Sequence, residues 1–327
     1  MKLRIATRRS ALALVQSNFV ADQLKKLDPS VSVELVEVVT TGDRIQNVSL
    51  SAIGGKGLFV SEVEDVLLRN EAEIAVHSLK DVPAELADGL VLAAVPVRED
   101  PRDVLVTATG DALDDLEAGA RIGTNSLRRT LQLRRQRNDL DYAMLRGNVD
   151  TRLRKLEAGE YRAIVLAAAG LRRLGLFERP LWPIPLDISV PAVGQGALAI
   201  EARANDARTL ELLAKLDHAP TRACVQAERA FLAELGGDCH TPLGGHAQLI
   251  DDARRVRFEG WVGSLSGTQH VRASQDVWVD DQRSLHELAL QVAQEVANTL
   301  LEQGARELIE QAKAEAARLQ ADPRVKS

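Results

Sequence analysis

Short aliphatic and β-branched runs alternate with helical periods through the first half of the chain, and this alternation limits its possible folds more than any other feature. KLRIAT precedes SALALVQSNFVADQLKKL, VSVELVEVV precedes GLFVSEVEDVLLRN, and EIAVHSL and LVLAAVPV follow. Such a pattern predicts βαβ units and a mainly parallel sheet. A second set starts at Asp103: DVLVTA, a helix from Ser126 to about Arg137, YAML, a helix from Asn148 to about Glu157, RAIVLA and AAGLRRLG. Between the two sets stands REDPRD (98–103), whose Pro and clustered charge mark an irregular crossing. RPLWPIPLDISVPAVGQG closes the second set, after which the strand-like ALAIEAR and the helical DARTLELLAKL read as a return to the first lobe. Two crossings and a hinged cleft follow. From about Pro220 an amphipathic helix, three strand-like runs and a long terminal helix predict an α+β third domain, with ELIEQAKAEAARLQADPRVKS as a solvated, frayed end. The expected domains are 1–98 with 197–216, then 102–192, then 219–327.

The size fits three domains, since 327 residues exceed the limit at which one core stops growing. MKLRIATRRSALALVQ carries charge on both sides of a short apolar run and has no cleavage signal, and no stretch reaches the length of a membrane helix. A cytoplasmic protein without a membrane partner is expected. Its two cysteines, Cys224 and Cys239, are then expected as free thiols.

Charge is distributed unevenly. The net formal charge is −6, yet residues 121–179 hold fourteen Lys/Arg, thirteen of them Arg, against six acids. Arginine's planar fork suits carboxylates and phosphates, so a polyanionic ligand is favoured over a merely solvated basic face. Nucleic acid is a poor candidate, because aromatics make up only 3% of the chain and the pI is near 5.7.

Several local motifs carry possible chemistry. Ile53 to Phe59 (IGGKGLF) is a glycine loop opening a helix, attractive to anions and equally readable as a tight turn; it lacks the Ser or Thr of a Walker loop after Lys56. GQGALA (194–199) fits G-x-G-x-x-A, but a Pro-broken loop precedes it and a strand follows, the reverse of a dinucleotide fingerprint. HSLKDVP (77–83) ends a strand at the carboxyl edge of the sheet, where open α/β folds hold ligands. There Asp81 could stabilise a developing cation, or simply cap a turn before Pro83. Ser126 and Asn148 read as N-caps, with Arg128, Arg129 and Arg152 in first turns, where cations oppose the helix dipole and a bound anion would relieve them. Cys239 lies in a Gly-rich loop, whereas Cys224 sits at helical core spacing. A zinc site from Cys224, Cys239, His240 and His246 lacks the paired clip of structural zinc.

In order along the chain, IGGKGLF, HSLKDVP, GTNSLRR, LRGN, AVGQGA and a late Gly-Gly-x-Cys loop resemble the porphobilinogen deaminase (hydroxymethylbilane synthase) family from Arg4 to about Ala305. The resemblance implies two hinged periplasmic-binding-protein-like α/β lobes plus a smaller C-terminal α+β domain, in a monomeric, cytoplasmic transferase. It implies the head-to-tail condensation of four porphobilinogen molecules with loss of ammonia, giving hydroxymethylbilane. It also implies a covalent dipyrromethane cofactor, here on Cys239. By similarity, Lys80, Asp81, Ser126, Arg128, Arg129 and Arg146 serve the cofactor, and Arg8, Ser10, Lys56, Arg152, Arg173 and Gln195 the substrate. Asp81 would contact pyrrole N–H groups and stabilise the azafulvene cation; no metal is implied. Two departures stand out: Ala52 replaces a second loop lysine, and Asp238 sits beside Cys239, where like charge raises a thiol pKa. A solute receptor with two lobes, and a nucleic-acid binder using RRTLQLRRQR, are the competing classes. The first would bind ligand without releasing ammonia, and the second would lose affinity steeply with salt.

Overall fold

The computed structural model describes residues 1–40, 60–83, 85–237 and 241–321. Elements run β1 (Lys2–Arg8), α1 (Ala11–Leu27), β2 (Ser32–Val38), α2 (Ser61–Leu68), β3 (Ile74–Ser78) and β4 (Leu90–Ala94). They continue β5 (Asp103–Val106), β6 (Arg121–Gly123), α3 (Leu127–Gln136), β7 (Asp141–Ala143), α4 (Val149–Glu157), β8 (Ala163–Ala167), α5 (Ala168–Arg173) and β9 (Leu181–Pro183). Then follow β10 (Leu198–Arg203), α6 (Ala207–Ala214), α7 (Ala219–Glu234), β11 (Leu243–Ile250), β12 (Arg255–Gly263), β13 (His270–Trp278), α8 (Leu285–Glu302) and α9 (Ala305–Ala321).

Two five-stranded sheets have matching orders, β2-β1-β3-β10-β4 and β7-β6-β8-β5-β9. In each, three strands pair in parallel and the fourth runs antiparallel to its neighbour, β10 against β3 and β5 against β8. The antiparallel strand is the first one the chain lays down after each crossing between lobes. Each sheet is covered on both faces, which is why β3 and β8 read as continuous apolar runs rather than alternating ones. Capping sets where the helices begin: Ser10 accepts from Ala13 N, Ser126 from Arg129 N and Asn148 from Thr151 N, each satisfying an amide the helix leaves unpaired.

The third sheet, β11-β12-β13, is antiparallel and packs on α7 and α8 around Phe231, Phe258, Val292 and Val296. The expected single terminal helix is two helices. Gly304 has φ +94°, a left-handed value that favours glycine, and it turns the chain between α8 and α9. Nor is α9 wholly solvated, because Ala305, Leu308, Ile309 and Ala312 are buried.

The two crossings are wired to each other and to α7. Glu99 N donates to Gly196 O at 3.1 Å, and Arg98 Nε donates to Gln195 O at 2.8 Å. Arg98 pairs with Glu228 at 2.6 Å, and Glu228 also accepts from Gly194 N and Ala247 N. Gly196 is required here, since it has φ +90° and a side chain would run into the Glu99 carbonyl.

Candidate active site

The carboxyl ends of β1, β3 and β8 face one another across the cleft between the two lobes. Arg8 ends β1, Ser78 ends β3, and Ala167 ends β8. The beginnings of α1 and α4 supply Leu12 and Val149 to the same walls, so two helix dipoles present their positive ends. Gln16 Nε2 donates to Ser78 Oγ at 2.8 Å and fixes α1 against β3. The cleft holds a cavity of about 100 Å³ that opens to solvent.

Lys80, Arg129, Arg152 and Arg173 line this space, and Arg8, Ser10, His77 and Asp81 line its continuation past Leu12, Gln16 and Ser78. Seven of the sequence-derived candidates, from the ends of six strands and helices, therefore line two adjoining pockets. Arg152 Nε donates to Gly147 O at 2.8 Å and Arg173 Nη2 to Gly196 O at 2.6 Å, while Lys80 reaches only Gln195 Oε1 at 3.4 Å. Among the described residues none of these three cations has a carboxylate partner. Burial, with Arg129 adding its repulsion, lowers the Lys80 ammonium to about 8 and the Arg152 guanidinium to about 10. Burial also lowers Arg173 to about 10. Asp81 acts on Lys80 and Arg152, and Glu99 on Arg173, only from beyond ion-pair distance, so these half-buried cations form a receptor for carboxylates. Asp81, in a 3₁₀ turn after β3, is exposed on the cleft.

Behind the cleft lies a layer that sequence reasoning missed. Asp103, fully buried at the start of β5, accepts from Arg128 at 2.8 and 3.1 Å, from Arg129 Nε at 2.8 Å and from Gln195 Nε2 at 2.9 Å. Burial favours its neutral acid, but the two guanidiniums outweigh that and hold its carboxyl below the usual range. The anion expected to relieve Arg128 and Arg129 is thus partly internal. Arg128 also donates to Ser189 and to Val190 O, so it stands with Gln195 in this buried layer, and Arg129 alone spans from it to the cavity. Ser126 is the N-cap of α3, and Arg146 lies beside Met144, with its Nε 3.2 Å from the sulfur.

The arginine-rich stretch divides by role. Arg137 binds Asp139 and the carbonyls of Leu113 and Leu116, Arg162 binds Asp111, Arg179 binds Glu157, and Arg134 covers the Tyr142 ring. These brace lobe 2 rather than the cleft. Lys56, Ala52, Asp238, Cys239 and His240 lie outside the described residues. Cys224 is buried in α7, its thiol pushed up to about 12 by burial, and no cluster of three metal-binding side chains occurs among the described residues.

The family model for the porphobilinogen deaminase dipyrromethane cofactor binding domain matches residues 3–211, and the model for the C-terminal domain of porphobilinogen deaminase matches 222–302. The chain belongs to the porphobilinogen deaminase family. Porphobilinogen deaminase of Brevibacillus brevis is 49% identical over 94% of this chain and 96% of the relative. That of Shouchella clausii is 48% identical over 96% and 98%. Among solved structures, a probable amino-acid ABC transporter extracellular-binding protein from Bacillus subtilis aligns at 10% identity and TM-score 0.42, covering 66% of this chain and 90% of that one. The substrate-binding domain of a putative molybdenum transporter from Clostridium difficile aligns at 8% and 0.40, covering 69% and 96%. As a deaminase of this family the chain uses dipyrromethane, and the cleft cations, which have no carboxylate at ion-pair distance among the described residues, fit a group rich in carboxylates.

Proposed function

We propose that this deaminase condenses four porphobilinogen molecules head to tail in the Asp81 cleft, releases ammonia at each step, and frees hydroxymethylbilane. It works as a cytoplasmic monomer whose lobes are 1–98 with 197–216 and 102–192, with residues 219–327 carrying Cys239 as the attachment point. When bound, the dipyrromethane primer supplies the pyrrole carbon onto which the chain is built. Lys80, Ser126, Arg129 and Arg146 hold the acetate and propionate arms of the primer, and Arg128 braces Arg129 from behind through Asp103. Arg8, Ser10, Lys56, Arg152 and Arg173 hold those of the incoming substrate, while Gln195 positions Lys80 and Arg129 from the buried layer. Asp81 orients pyrrole N–H groups and stabilises the cation that forms as the aminomethyl group departs.

The observation that carries this assignment is the trio Lys80, Arg152 and Arg173, half-buried in one pocket and, among the described residues, without a carboxylate at ion-pair distance. Intact mass tests it: active protein should exceed its sequence mass by two pyrrole units and gain further units on incubation with porphobilinogen. Cys239→Ser should lose the increment and turnover together. Turnover by protein of bare sequence mass would refute the covalent assignment, and binding without ammonia release would favour a receptor.

A further inference from the structure

A second titratable group lies behind the wall beside Asp81. Glu201, in β10, is 0% exposed, and neither of its carboxyl oxygens has a hydrogen-bond partner. His77, in β3, lines the cleft with Arg8 and Asp81, while its buried Nε2 also lacks a partner and lies 3.9 Å from Glu201 Oε1. The register explains the approach: His77 pairs with Ala199 and Glu201 with Ala75, so both side chains leave the same face of the sheet on a diagonal. An ionised carboxyl without donors is strongly disfavoured in such a place, so Glu201 holds its proton.

We propose that Glu201 and His77 form a proton relay that lends a proton to the departing ammonia and recovers it when the new bond is made. As the C–N bond of the aminomethyl group breaks, its electron pair leaves with nitrogen. Glu201 passes its proton to His77 Nε2, and the opposite ring nitrogen passes one to the ammonia, which departs as ammonium. The Glu201 carboxylate then stands behind His77, and its charge favours the substrate cation from there at the moment that cation exists. When the pyrrole carbon couples, its C–H bond breaks, that electron pair restores the aromatic ring, and the proton returns through His77 to Glu201. The sum converts a protonated amine and a pyrrole C–H into a C–C bond and ammonium, with the relay unchanged and no other reagent consumed.

The surrounding charges are consistent with this cycle. Burial, and then Glu64 of α2, push the Glu201 carboxyl up to about 8, with Arg229 of α7 opposing them. Burial and Arg8 of β1 push the His77 imidazole down to about 4, so at neutral pH it is a neutral carrier between donor and acceptor. The pair needs only a small side-chain shift to reach hydrogen-bond distance.

The relay rests on condensation taking place in the Asp81 cleft, and its test can fail separately from that assignment. Holoenzyme carrying Glu201→Gln, with its cofactor mass verified, should release the first ammonia about 10²-fold more slowly in a single turnover. The wild-type rate should fall as pH rises above about 8, and the variant's should fall less steeply. Wild-type protein at pH 7 should show an infrared band of a protonated carboxyl that the variant lacks. A Glu201→Gln enzyme with wild-type rate and pH profile, or a wild type without the band, overturns the relay while leaving the deaminase intact. Should the variant fold poorly, His77→Gln must give the same slow release with the band retained; a normal rate there overturns it equally.

Discussion

Lys80 is the cleft cation whose charge changes nearest to neutrality. Burial and Arg129 place its ammonium at about 8, so it is charged below that pH and loses its attraction for a carboxylate above it. For the free enzyme, kcat/KM for porphobilinogen should therefore fall as pH rises through about 8, since this ratio reports free-enzyme ionisations. Lys80→Met should lower kcat/KM at pH 7 about tenfold or more, in line with roughly 1.5–3 kcal/mol for a hydrogen bond to a charged group, and should make that limb less steep, leaving the part due to Glu201. A variant whose limb is as steep as the wild type's would show that Lys80 has no part in it. Residues such as Lys80 and Asp81 were legible because HSLKDVP ends a strand, and strand ends open onto clefts. Asp103 was not legible, since a lone acid in REDPRD looks like crossing charge until the fold brings Arg128 and Arg129 onto it. Glu201 was hidden in the same way, as one acid in the strand ALAIEAR whose burial only the packing of α2 and α7 creates.

At the scale of elements, periodicity placed α3, α4 and all three strands of the last sheet, because their caps and turn residues agree with their apolar spacing. It failed at α9, where alternating charges drew attention away from Ala305, Leu308, Ile309 and Ala312, a stripe at i, i+3, i+4 and i+7. Glycine at 304 was the readable sign of the break. This helix lies beyond the matched family segment, which ends at 302, yet its Lys313 Nζ donates to Gly236 O at the end of α7, two residues from the Asp238-Cys239 loop. Ending the chain after Gln303 should thus destabilise the protein by about 3–6 kcal/mol, counting roughly 1.5–3 kcal/mol each for Leu308 and Ile309. Urea midpoints would measure the loss, and an unchanged midpoint would mean that α9 contributes nothing to the third core.

For the whole molecule, the matched strand orders of the two lobes mean that their relative placement depends on two short crossings, and these converge on Glu228. Arg98 brings the first crossing to this carboxylate, Gly194 brings the second, and Ala247 and His246 add the third domain. Burial raises the Glu228 carboxyl, but Arg98 and then His246 outweigh it and hold it at about 2. A carboxyl depressed on folding adds stability above its unfolded value near 4.5, and that stability is lost as pH falls towards 2. Arg98→Met leaves the carboxylate buried without its main counter-charge and should cost about 3–5 kcal/mol at pH 7. The penalty should shrink at pH 3, where the variant's Glu228 takes up a proton, and adding Glu228→Gln to Arg98→Met should recover much of the loss at pH 7. Urea unfolding at the two pH values separates this from lost packing, because a cavity left by Arg98 would cost the same at both. An equal penalty at pH 3 and pH 7 would show that the crossings are joined by shape rather than by charge, and the Glu228 hub would then have no electrostatic part in holding the lobes to the third domain.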